Sequence, residues 1–156
     1  MIGKEKHKKQ LVFIWLIFII YMSLLIYFLF FAELMDRQSR PINYSYNLKL
    51  FTEIKRFIRS YERLGFYVIF LNLVGNIVGF VPFGFILPLI TKRAKHWYMN
   101  ILLGFTFSMW IETFQLVFRV GIFDVDDMFL NTLGSFIGFV TYFLLIHKKS
   151  HLDYLI

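Results

Sequence analysis

The 156 residues are 58% hydrophobic and 21% aromatic, with 21 Phe and no Cys, against about 45–50% apolar content in ordinary soluble domains. The lack of cysteine excludes disulfides, thiolate metal sites and a Cys nucleophile. The net charge of +7 does not indicate nucleic acid, because the Lys and Arg residues flank apolar runs instead of lining a base-stacking surface; they are topology signals, and residues 1–156 read as one integral membrane domain.

Lys4, Lys6, Lys8 and Lys9 precede Leu11–Ala32, an uncharged run of 22 residues. At about 1.5 Å per residue it spans the roughly 30 Å hydrocarbon layer. It is too long for the apolar region of a cleaved signal peptide and ends Phe30, Phe31, Ala32 before Glu33, without an A-x-A-like pair of small residues. Further on, Leu50, Phe51, Ile54, Phe57, Ile58, Tyr61 and Leu64 share one helical face, and Lys49, Lys55, Arg56, Arg59, Glu62 and Arg63 fill much of the rest. This predicts an amphipathic helix over 47–64, lying in the head-group plane or capping the protein's own bundle. Pro41 and the run 43–47 before it read as a turn or loop.

Residues 66–90 form a second apolar run carrying Asn72 and Asn76 one turn apart, with Gly75, Gly79, Pro82, Gly84 and Pro88. Gly75 and Gly79 suit close helix packing with the amides as interhelical glue, and Pro82 should bend or locally break the helix. A basic turn with Lys92, Arg93 and Lys95 leads to a third span, 98–118, with Ser108, Glu112 and Gln115 on one stripe. A loop, 119–127, precedes the fourth span, 128–146, where Asn131, Gly134 and Gly138 share a face.

The expected fold is all-α, an integral membrane bundle of four transmembrane helices with an amphipathic interfacial helix between the first and second. The basic residues divide almost evenly between the two sides, so their density beside the span ends and the N-terminal cluster decide the orientation. Both termini are expected in the cytoplasm.

On that topology Glu112 lies roughly 6 Å, Asn76 roughly 3 Å, and Asn72 and Asn131 roughly 9 Å outward from the middle of their spans. Burying a carboxylate in a bilayer is expensive enough to make Glu112 a functional-site hypothesis. The four converge on an expected polar cavity open to the outside, with Arg119, Asp124, Asp126 and Asp127 at its mouth and Gln115 on the Glu112 stripe. Asp126 or Asp127 is expected to cap the fourth helix. Arg119 would pair with an aspartate or bind a phosphate or carboxylate. Glu112 has the character of a general acid or base, or else is held structurally by Gln or Asn. There is no Walker loop, H-E-x-x-H or G-x-S-x-G elbow, and D-x-D-D lacks EF-hand spacing. Neither metal nor cofactor is expected.

The stretches N-L-V-G-N-I-V-G-F-V-P-F-G (72–84), E-T-F-Q (112–115) and R-V-G-I-F-D-V-D-D-M-F-L-N-T-L-G-S-F-I-G (119–138) resemble the VanZ-like membrane proteins, a family named after a teicoplanin-resistance protein. The amphipathic segment resembles the family's N-L-x-P-F element, but Asn47-Leu48-Lys49-Leu50-Phe51 has Leu50 where the proline stands, which puts a sharp turn there in question. The resemblance implies a multi-pass protein of the bacterial cell membrane, some members of the family lowering susceptibility to teicoplanin or related lipoglycopeptides. It implies no settled mechanism. Three functions therefore stay open: binding of an amphipathic ligand in the outer leaflet, such as a lipid-linked cell-wall precursor or a lipoglycopeptide; an enzyme using Glu112 on an envelope lipid or peptidoglycan precursor; and a structural or assembly subunit. Membrane lipids are the expected partners, and the oligomeric state is not legible.

Overall fold

The computed structural model describes residues 2–36, 46–60, 62 and 65–147. Its elements run α1 (Ile2–Asp36), β1 (Tyr46–Asn47), α2 (Thr52–Arg59), α3 (Phe66–Ile90), a 3-10 turn (Lys92–Lys95), α4 (Trp97–Val117), β2 (Phe123–Asp124) and α5 (Val125–Tyr142), which continues as a π turn (Phe143–His147). The expected loop at Pro41, the positions Tyr61, Arg63 and Leu64 of the expected interfacial helix, and the tail with Lys148, Lys149 and His151 lie outside the described residues.

Long apolar runs become helices here because a helix satisfies its backbone polar groups internally whatever surrounds it. Three stretches are long and apolar enough to cross a membrane: 8–30 in α1, 72–90 in α3, and 125–146 across α5 and the π turn. The expected third span is a helix of 21 residues, α4, but falls outside that set, since its inward stripe is the polar series Asn100, Ser108, Glu112 and Gln115, all buried. The amphipathic helix starts later than its expected 47, at Thr52. Among the described residues of that stretch Thr52–Arg59 and Glu62 are helical, and Tyr46–Asn47 pairs in parallel with Phe123–Asp124 instead of starting the helix.

The closest packing joins α3 to α5. A Cβ on Gly134 would sit 2.1 Å from the Ile77 carbonyl oxygen, one on Gly138 2.0 Å from that of Val81, and one on Gly84 1.8 Å from that of Ser135. These backbones touch only because three glycines allow it. Of the expected packing glycines, Gly75 faces open space, whereas Gly79 packs against α1, where a Cβ would lie 3.3 Å from the Leu25 side chain. α1 leans on the outside of this pair through Leu25, which joins Phe80, Phe83 and Ile111 in the apolar core. Its Tyr21 hydroxyl donates to the Gly79 carbonyl at 2.6 Å.

Pro82 does not break α3, which runs unbroken past both prolines. Pro88 has no N–H for the carbonyl of Gly84 four residues earlier. Asn100 of α4 takes over, its Nδ2 donating to Gly84 O at 2.9 Å, while its Oδ1 accepts from Ser135 of α5 at 3.1 Å. One buried amide thus repairs the proline defect and ties three helices together.

Candidate functional site

At the end of the bundle where α4 stops and α5 begins, two short stretches interlock: 47–54, entering α2, and 124–127, entering α5. Asp124 is the N-cap of α5, its Oδ1 accepting from the Asp126 backbone at 2.8 Å and from Asn47 Nδ2 at 3.1 Å. Asn47 Oδ1 in turn accepts from the Lys49 backbone at 3.2 Å. The Asp124 backbone N–H donates to Glu112 Oε2 at 2.9 Å, so Glu112, only 2% exposed, fixes the chain as it leaves α4. Burial pushes the Asp124 carboxyl above the ordinary carboxylate value and the Asp126 charge adds to this, whereas the Asp126 N–H, Asn47 and Arg56 pull the other way.

Asp126 is fully buried but caps a different helix from the expected one. Its carboxylate accepts from the backbone N–H groups of Phe51, of Glu53 at 2.7 Å and of Ile54 at 3.3 Å. These are the orphan donors at the start of α2, to which a carboxylate is well matched. The expected cap on α5 is therefore Asp124, not Asp126 or Asp127. Asp127 accepts instead from Asn76 Nδ2 of α3 at 2.7 Å.

The turn into α2 is sharp despite the missing proline. The Thr52 N–H reaches the Lys49 carbonyl at 3.3 Å, and Phe51 has φ 65° and ψ 15°. With Leu50 outside the positive-φ residues, this is a type II turn with Leu50 at its second position, the place proline favours. Phe51 is held in its left-handed conformation by the Asp126 contact and by edge-on packing of its ring against Phe129, 5.6 Å between centroids.

α4 ends in a Schellman motif. The Val120 N–H donates to Gln115 O at 2.9 Å and the Arg119 N–H to Leu116 O at 3.1 Å, with Arg119 at φ 54° in the position glycine usually holds. A left-handed non-glycine residue costs about 1–2 kcal/mol, yet here it carries an exposed arginine. The motif also directs Gln115 inward, where its Nε2 approaches the Leu29 carbonyl of α1 at 3.4 Å.

Of the expected site residues, Glu112, Asp124 and Asp126 form one connected set with Asn47. Asn76 and Asp127 form a pair beside it, and Asn131 pairs with Ser108 deeper in the bundle at 2.9 Å. Asn72 is exposed on α3. Asn47, Asn100 and Ser135 were not among the expected residues. For Asn100 the signal was Pro88 with a bare carbonyl at Gly84; for Asn47 no local pattern announces a partner 77 positions away. Among the described residues no group of three or more His, Asp or Glu is placed to hold a metal ion.

A family profile described as VanZ/LLP1 matches residues 18–146. Protein VanZ of Enterococcus faecium is 32% identical over 77 residues, 47% of this chain and 45% of that protein, so the match spans just under half of that relative's length. No solved structure matches the chain. The profile extends from α1 through α5 and takes in both interlocked stretches, and on that match the chain belongs to the VanZ/LLP1 family.

Proposed function

We propose that the chain is a multi-pass bacterial envelope protein that binds an amphipathic ligand with an anionic head, such as a lipoglycopeptide or lipid-linked cell-wall precursor, at the outer leaflet. In this reading α1, α3, α4 and α5 all cross the membrane, both termini are cytoplasmic and α2 lies in the head-group plane. The observation that carries it is Arg119, an exposed guanidinium kept in a left-handed position that glycine would fill without strain. It stands five residues before the 124–127 segment that moors α2, where Lys55 and Arg59 are also exposed and Arg56 is ion-paired with Glu53. A phosphate or carboxylate head suits such a cationic rim, and an acyl tail suits the apolar flank.

Arg119→Gly tests this, because it removes the guanidinium and relieves the backbone. The variant should accumulate at wild-type level yet lose any lowering of teicoplanin susceptibility and bind fluorescent teicoplanin in nanodiscs at least about tenfold more weakly, the worth of one charge-assisted hydrogen bond. Unchanged binding and phenotype would sink the proposal.

A second reading, an assembly or structural subunit, is favoured by the internal hydrogen bonds of Asp124, Asp126 and Asp127. It predicts that Asp126 substitutions lower protein level and that Arg119→Gly changes nothing. Turnover with Glu112 as acid or base has weaker support, since Oε2 is already engaged by the Asp124 N–H.

A further inference from the structure

We propose that the bundle holds one internal water molecule between Ser108 of α4 and Asn131 of α5. Four helical hydroxyls among the described residues donate back to the carbonyl one turn earlier, Ser23 to Ile19, Thr113 to Met109, Thr132 to Met128 and Thr141 to Ile137, and that of Ser135 donates to Asn100 Oδ1. Ser108 does neither. Its oxygen accepts from Asn131 Nδ2 at 2.9 Å, and its own proton reaches no acceptor among the described residues.

Asn131 Oδ1 is fully buried and accepts from no donor among the described residues. Reversing the amide does not cure the mismatch, because Ser108 would then donate to Oδ1 and strand Nδ2 instead. Both residues are essentially inaccessible, 0% and 1% exposed. The pair thus presents, in one place, the unmatched Ser108 hydroxyl donor and the unmatched acceptor Asn131 Oδ1. A group that donates once and accepts once satisfies both, and water is the smallest that does; a buried water commonly serves such otherwise unmatched groups. The site is separate from the cationic rim and stands whether or not that rim binds a ligand. It sets an exchangeable proton one helical turn from Glu112 on the same face of α4.

A structure of the full chain in nanodiscs at about 2 Å or better tests this directly. A density peak within hydrogen-bond distance of both Ser108 Oγ and the Asn131 amide is expected, and the Ser108→Ala/Asn131→Leu double variant should lack it. Well-ordered side chains with no peak, or a protein group bonded to Asn131 Oδ1, would overturn the proposal. Reversible unfolding in mixed micelles gives a second readout. Asn131→Leu alone strands the Ser108 hydroxyl and should shift the unfolding constant on the order of 10- to 100-fold, while adding Ser108→Ala should recover most of the loss. A double variant as unstable as the single one would count equally against it.

Discussion

Asp126, the second residue of α5, closes the turn that launches α2 by accepting the backbone N–H of Phe51, 75 positions earlier in the chain. Because the same carboxylate also takes the Glu53 and Ile54 N–H groups, the amphipathic helix is moored at its N-terminus by one side chain. Asp126→Ala leaves these donors without their acceptor and should cost about 2–3 kcal/mol. Limited trypsinolysis reads the release of α2 as faster cleavage at Lys55, Arg56 and Arg59, with Asp126→Asn intermediate because it keeps one acceptor oxygen.

Leu50 occupies the second position of the type II turn, where φ near −65° is wanted and proline supplies it in advance. Leu50→Pro should therefore stabilise the protein by about 0.4–1 kcal/mol through the unfolded chain, seen as a higher thermal midpoint with α2 still docked. A lower midpoint would mean that the Leu50 side chain contributes more than the turn geometry indicates.

The bundle was legible in the sequence because apolar length and helical spacing act locally. Glu112, Asn76 and Asn131 drew notice for the same reason, as polar groups in apolar runs, and all three make buried or half-buried contacts. What the sequence did not expose was pairing. Asp126 looks like the cap of the helix it begins, and only the parallel bridge of Tyr46–Asn47 to Phe123–Asp124 brings it to α2 instead. Gly75 looked like a packing position because spacing reveals a shared face but not what that face meets.

The raised Asp124 titration has a defined sign. An acid whose folded-state value is raised binds protons more tightly in the native protein, so its contribution is fully present below the unfolded value of 3.8 and is lost as pH rises through the folded value. Asp124→Asn keeps the capping oxygen but cannot titrate. The stability difference between wild type and variant should thus move against wild type as pH increases from about 3.8 and then level off, measured by denaturant unfolding in detergent across that range.

Asn100 and Pro88 should be energetically coupled. Asn100→Ala strands the Gly84 carbonyl and the Ser135 hydroxyl and should cost about 1–3 kcal/mol. In a Pro88→Ala background residue 88 regains an N–H for Gly84 O, so the same Asn100 change should cost less by about 1 kcal/mol in a double-mutant cycle. Strict additivity would show that Asn100 does not compensate for the proline.

Gly138 and Gly75 make the sharpest contrast in the chain, since both are helical glycines in apolar runs and only one is structurally required. Alanine at 138 places Cβ 2.0 Å from Val81 O and 2.8 Å from Phe85 N, both backbone atoms that cannot rotate away. α5 must then move off α3, disturbing the Asn76–Asp127 and Asn131–Ser108 pairs, and a loss of at least about 3 kcal/mol is expected. Alanine at 75 meets nothing within 4 Å and should be neutral or stabilise by up to about 1 kcal/mol through helix propensity alone. Unfolding in mixed micelles separates the two, and equal effects would show that α3 and α5 do not approach as closely as these glycines require.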